Sequence, residues 1–130
     1  DRVLVDAPCT GIGALRRRPE ARWRKQPRDV PELADLQSRL LDSAIAATRP
    51  GGLVAYVTCS PHLAETRAVV SAAVRRAGGR VTELDARAAL QRVARDELDL
   101  GGDDERLSAQ LWPHRHGTDA MFLALLAVAE

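Results

Sequence analysis

Aromatic side chains are scarce in this chain: two Trp, one Tyr and one Phe among 130 residues. Its core must therefore be built mainly from small aliphatic side chains, and a buried ring carries a large share of the apolar area. Cysteine is nearly absent too. Cys9 and Cys59 form no CxxC pair, and two such residues do not make a disulfide framework. Lysine occurs once against eighteen arginines, so cation chemistry here is guanidinium chemistry, which suits carboxylates and phosphates. No long uncharged run is present, which argues against a membrane-spanning helix, and no leader with a basic head and apolar middle is seen. The expectation is a soluble protein of the cytoplasm.

What is present fits one compact domain of modest core, without internal repeat, linker or second domain. The net charge of +1 excludes no partner. Its distribution is more informative. From Arg16 to Arg28 there are seven basic residues (Arg16, Arg17, Arg18, Arg22, Arg24, Lys25, Arg28) against one acid, Glu20, while acids gather later in DELDLGGDDE. A charge run is most often a solvated face, but a local basic patch on a near-neutral domain is also the footprint of a polyanion site.

Apolar patterning sets the order of elements. Val3–Val5 is a short apolar run meeting the turn Asp6-Ala7-Pro8, as a buried parallel strand does. A basic, proline-punctuated loop follows to Pro31. Helical spacing of Leu33, Leu36, Leu40, Leu41, Ala44 and Ile45 predicts a helix over Glu32–Thr48, stopped by Pro50-Gly51-Gly52. Leu53–Thr58 reads as a second strand and Leu63–Arg76 as a second helix closed by Gly78-Gly79. Val81–Leu84 reads as a strand, Ala86–Ala94 as a short helix, Asp99–Glu105 as a polar loop and Met121–Val128 as a last strand. The alternation is that of an α/β protein.

Each cysteine lies just beyond a strand, where open α/β sheets bind their ligands. Strands joined by one helix are usually neighbours, about 4.8 Å apart, so both thiols are expected to enter one crevice. A lone cysteine is most often a small buried hydrophobe; two at strand ends, each followed by a hydroxyl residue and beside a proline, point instead to chemistry. A zinc site from Cys9, Cys59, His62, His114 and His116 matches no usual ligand spacing, so no metal is expected.

DAPCTGIGALRRRPEARWR, YVTCSP and QLWPHRHGTDAMF resemble three successive motifs of the Sun/Fmu family, the AdoMet-dependent RNA cytosine-5 methyltransferases. The resemblance runs through nearly the whole chain and implies a role for each motif. Cys59 is the nucleophile that bonds C6 of cytosine, and Cys9 assists release. Asp6 faces both cofactor and base, and Pro8 borders the cofactor. Arg16, Arg17, Arg18, Arg22, Arg24 and Lys25 contact RNA phosphates, Trp23 packs under the loop or stacks on a base, and His116 touches RNA or lends charge to Cys59. The family's Glu-Glu-Asn run is reduced here to Glu65, and its Asp-Gly-Phe-Phe appears as Asp119-Ala120-Met121-Phe122.

The implied fold is the C-terminal half of a Rossmann-like methyltransferase domain, residues 1–130, a mostly parallel sheet with an antiparallel last strand. The implied substrate is RNA, small-subunit rRNA by analogy with bacterial relatives, modified to 5-methylcytosine. The Gly-rich turn and acidic strand end that hold S-adenosyl-L-methionine are not seen before Asp1. The chain by itself is thus expected to bind AdoMet poorly, to be inactive, and to self-associate through the edge of its first strand. Two other readings remain open here: an exocyclic-amine methyltransferase, which would carry Pro-Pro-aromatic after the Asp, and a non-catalytic RNA-binding module with inert thiols.

Overall fold

The structure, a computed structural model, describes residues 1–101 and 105–130. Strands β1 (Arg2–Asp6), β2 (Leu53–Thr58), β3 (Val81–Leu84), β4 (Ala109–Gln110) and β5 (Phe122–Val128) form one sheet in the order β1-β2-β5-β3, with β4 also pairing with β5. Helices α1 (Ala21–Arg24), α2 (Asp29–Ala47), α3 (Arg67–Ala77), α4 (Ala86–Val93) and α5 (Pro113–His116) connect them. α2 begins three residues before the predicted start because Pro31 falls in its first turn, where the missing N–H breaks no helical bond. The predicted second helix is divided: a 3₁₀ turn, Leu63–Glu65, precedes α3, with Thr66 at φ −126°, ψ −104° between them. Part of the predicted polar loop 99–105, residues 102–104, lies outside the described residues.

The sheet is mixed rather than mostly parallel. β1 and β2 pair in parallel, whereas β2–β5, β3–β5 and β4–β5 are antiparallel. The reason is position: the reversed last strand lies inside the sheet, so every ladder it makes is antiparallel. Its register sets Val54 opposite Leu126, Tyr56 opposite Ala124 and Thr58 opposite Phe122. These side chains are all buried on the face shared with Leu41, Ile45, Val70 and Ala73 of α2 and α3. Tyr56 and Phe122 meet edge to face, centroids 6.2 Å apart.

β1 is not the buried strand its apolar run predicts. It has one neighbour, β2, and alternate residues face out, leaving Leu4 68% exposed. Among the described residues no helix is long and apolar enough to cross a membrane.

Candidate active site

Parallel pairing of β1 with β2 sets Asp6 level with Val57, and the Ala7 amide donates to the Val57 carbonyl at 2.9 Å. The two turns that follow leave the sheet side by side. Cys9 Sγ and Cys59 Sγ lie 3.5 Å apart, both thiols half-buried and free of any disulfide. Burial, then the charge of Cys59 and the hydrogen bond between the sulfurs, push the Cys9 thiol up to about 12. Either sulfur can donate in the contact between them. Arg17 is a cation within electrostatic reach of Cys59: its guanidinium is held charged first by hydrogen bonding to Asp119 and also by Cys59.

Glu65 fixes the spacing of the two turns. Fully buried, its Oε1 accepts from the Thr10 amide at 2.7 Å and from Gln37 Nε2 at 3.2 Å, while its Oε2 accepts from the hydroxyls of Thr10 at 2.6 Å and Ser60 at 2.7 Å. One carboxylate thus ties down the residue after each cysteine. Gln37 of α2 also donates to the Pro8 carbonyl at 2.8 Å, and the Tyr56 hydroxyl donates to the Glu65 carbonyl at 2.8 Å. Burial, then the nearby Cys9 and Glu65, raise the Tyr56 phenol. Sequence reasoning saw Glu65 as the remnant of an acidic run. Its signal was the pairing of that Glu with the hydroxyl residues Thr10 and Ser60, each directly after a cysteine.

Gly13 closes the site from the other side. Its amide donates to the Cys59 carbonyl at 3.0 Å and its carbonyl accepts from the Ala120 amide at 2.8 Å. A Cβ there would stand 2.2 Å from the Ala120 carbonyl oxygen and 2.7 Å from that of Cys59. Both neighbours are backbone, so the cysteine turn would have to move. Gly13→Ala is expected to cost about 1–3 kcal/mol as overpacking and to lower the reactivity of Cys59. A melting curve and a Cys59 alkylation rate unchanged from wild type would refute that.

Asp119, 6% exposed, organises the start of the basic segment. It accepts from Arg16 Nε at 2.8 Å and from Arg17 Nε at 2.8 Å, with Arg17 Nη2 on the same oxygen. Hydrogen bonds from Arg17 and then Arg16 hold the Asp119 carboxyl at about 2, below its usual 3.8. This depressed value makes the pairing complete above 3.8 and progressively lost as pH falls toward about 2. Asp119→Asn should lower the melting temperature at neutral pH. The gap from wild type should close across that acid window, and a gap constant with pH would contradict the assignment.

The remaining predicted residues are placed as follows. Asp6 and Pro8 are exposed at the open side of β1. Arg18, Arg22, Arg24 and Lys25 are exposed, free to meet a polyanion, whereas Arg16 and Arg17 are partly engaged by Asp119. Trp23 does not pack under the loop: it is 83% exposed, because α1 is a single turn flanked by charged residues and buries none of its own. His116 is held by backbone on both ring nitrogens, Nδ1 accepting from the Trp112 amide and Nε2 meeting the Asp99 carbonyl, each at 2.9 Å. It fastens the turn before β5 and has no ring nitrogen left for a phosphate. Among the described residues no three His, Cys, Asp or Glu side chains come together to hold a metal ion.

The family model for 16S rRNA methyltransferase RsmB/F matches residues 1–127. The chain belongs to that family. It is 62% identical over 126 residues to Rv1407 of Mycobacterium tuberculosis (strain ATCC 25618 / H37Rv), named as a candidate methyltransferase. It is 36% identical over 126 residues to ribosomal RNA small subunit methyltransferase B of Escherichia coli O1:K1 / APEC. Both alignments cover 97% of this chain and 26% of the relative. The chain thus spans about a quarter of the length of these relatives. Crystallographic neighbours include PH0851, at TM-score 0.80 and 32% identity over 97% of this chain and 26% of that one. NSun6 from Pyrococcus horikoshii with SFG, at TM-score 0.75 and 24% identity over 98% of this chain and 29% of that one, shares the fold.

Proposed function

We propose that this chain forms the thiol-bearing part of an RNA cytosine-5 methyltransferase, with small-subunit rRNA as substrate and the reaction performed by the intact enzyme rather than by this chain alone. The observation that carries the reading is the approach of Cys9 and Cys59 at one rim of the sheet, 3.5 Å apart. Carbon 5 of cytosine is a poor nucleophile. Addition of the Cys59 thiolate to C6 moves an electron pair to C5, which can then take a methyl group. AdoMet, when bound, supplies that methyl. Loss of the C5 proton to a base and cleavage of the C6–S bond restore the ring's double bond.

In this reading each thiol has its own task. Burial and the charge beside it hold the Cys9 thiol up, which makes Cys9 a poor nucleophile and leaves the attack to Cys59. Once Cys59 is bonded to carbon its charge is gone, and with it one cause of the raised Cys9 pKa. Cys9 then ionises more readily and stands beside the adduct as a base for release. Exposed Asp6 has a carboxylate free to accept from the cytosine amine, and Asp6 and Pro8 fit as one wall of the AdoMet site. Exposed Arg18, Arg22, Arg24 and Lys25, with Trp23 among them, suit phosphate contact and base stacking.

An RNA carrying 5-fluorocytosine at the target position tests the reading, since fluorine in place of the C5 proton blocks release. A denaturation-resistant protein–RNA adduct is expected with the intact enzyme and AdoMet. Methyl transfer with no adduct would favour attack on an exocyclic amine, which uses no thiol.

A further inference from the structure

A cleft of about 500 Å³ lies beside the thiol pair. It begins at Pro61, two residues past Cys59, and its wall includes Phe122, which pairs with Thr58 immediately before Cys59. The cleft therefore opens at the same end of β2 as the nucleophile. Its size is that of a small-ligand site, and its lining is cationic: Arg67, Arg87, Arg106 and Arg115 all contribute, with His114. No Asp or Glu is among the described residues that line it.

The arginines are not equivalent. Arg87 donates to the Arg106 carbonyl at 3.2 Å, which fixes that side of the cleft. Arg115 lies 3.6 Å from Asp99, a loose exposed pair, and Arg67 is exposed within electrostatic reach of Glu83. The exposed Arg115–Asp99 pair is weak and yields readily to a phosphate. Between the cations stands Trp112, half-buried, its ring 6.0 Å from that of His114 and tilted 46° to it. Gln110 donates its amide hydrogens to the Leu111 and Met121 carbonyls, leaving its Oε1 as an acceptor. Cations, an aromatic face and a fixed amide acceptor form the chemistry that holds single-stranded nucleic acid: backbone on the guanidinium groups, a base on the ring.

Resting on the reading of the thiol pair as the cytosine site, we propose that this cleft binds the RNA strand next to the target nucleotide. Phosphates sit on Arg67 and Arg115 and a neighbouring base on Trp112. The strand would then cross the thiol rim between two cationic walls, the segment Arg16–Arg28 and this cleft.

The test is the salt dependence of affinity of the intact enzyme for a single-stranded RNA oligonucleotide carrying the target cytosine. Arg67→Ala/Arg115→Ala should bind roughly tenfold more weakly and lower the slope of log affinity against log salt by about 1.4, two contacts at ~0.7 each. Arg67→Lys/Arg115→Lys should restore most of the slope, because each ammonium still releases a counterion; this separates lost contacts from misfolding. Affinity and slope unchanged in the alanine variant, or a slope not recovered by lysine, would overturn the proposal. Wild-type adduct formation with 5-fluorocytosine RNA is scored separately. A wild-type adduct alongside unchanged salt slopes rejects the cleft alone. Lowered slopes without a wild-type adduct keep the cleft as an RNA site and reject the thiol reading.

Discussion

Replacing Cys59 by alanine in the intact enzyme is expected to abolish both methyl transfer and the covalent adduct with 5-fluorocytosine RNA. Replacing Cys9 by serine is expected to stop turnover while adduct accumulates even on unmodified RNA. The two thiols are 3.5 Å apart and chemically alike, so a difference in phenotype must come from their environments. Only a thiolate adds to C6 at a useful rate. In the proposed reaction, burial and the neighbouring charge hold the Cys9 thiol up until Cys59 has reacted. Without Cys59 there is no addition. The expected loss is at least about 10⁴-fold, comparable to removal of a covalent nucleophile elsewhere. Without Cys9 the adduct forms but lacks its base. Alkylation distinguishes the thiols before any RNA is added. With a pKa of about 12 against the ordinary 9.0, Cys9 has roughly a thousandfold less thiolate at pH 8. Greater intrinsic nucleophilicity recovers some of that, leaving it about 30-fold slow. Equal alkylation rates, or a Cys59→Ala enzyme that still methylates, would end the assignment.

Much of this is legible in the sequence. Strand β2 lies where the apolar run places it, and α2 follows its leucine spacing, because period and length are local properties. The convergence of the thiols follows from two strands joined by one helix. The order of strands was not legible in the same way. Nothing in Met121–Val128 says that it inserts between β2 and β3, since its alternation fits an edge or an interior position equally well. Charge runs mislead for a related reason. Arg16 and Arg17 read as members of one basic segment, yet their partner Asp119 is more than a hundred residues away. Trp23 shows the converse. Scarcity of aromatics argued for burial, but a one-turn helix of charged neighbours has no apolar face to bury it against.

Glu65 is where local and long-range information part most sharply, and where the second large effect is expected. Glu65 falls inside the helix predicted over Leu63–Arg76, but the 3₁₀ turn and the irregular Thr66 direct it inward onto Thr10, Gln37 and Ser60. Glu65→Ala leaves the Thr10 amide and one Gln37 amide hydrogen facing a cavity. At about 1–3 kcal/mol for each buried donor left unpaired, the loss is roughly 2–6 kcal/mol, a large part of a domain's stability. Glu65→Gln should be far milder, about 1 kcal/mol. Its oxygen can keep the Thr10 amide and Gln37, while its NH₂ donates to the hydroxyls of Thr10 and Ser60, which rotate to accept. Denaturation midpoints of the two variants check the contrast. If the carboxylate fixes the cysteine spacing, Glu65→Ala should also lose adduct formation while Glu65→Gln keeps it. Equal destabilisation by Gln and Ala would mean that negative charge, rather than the set of hydrogen bonds, holds the turns together.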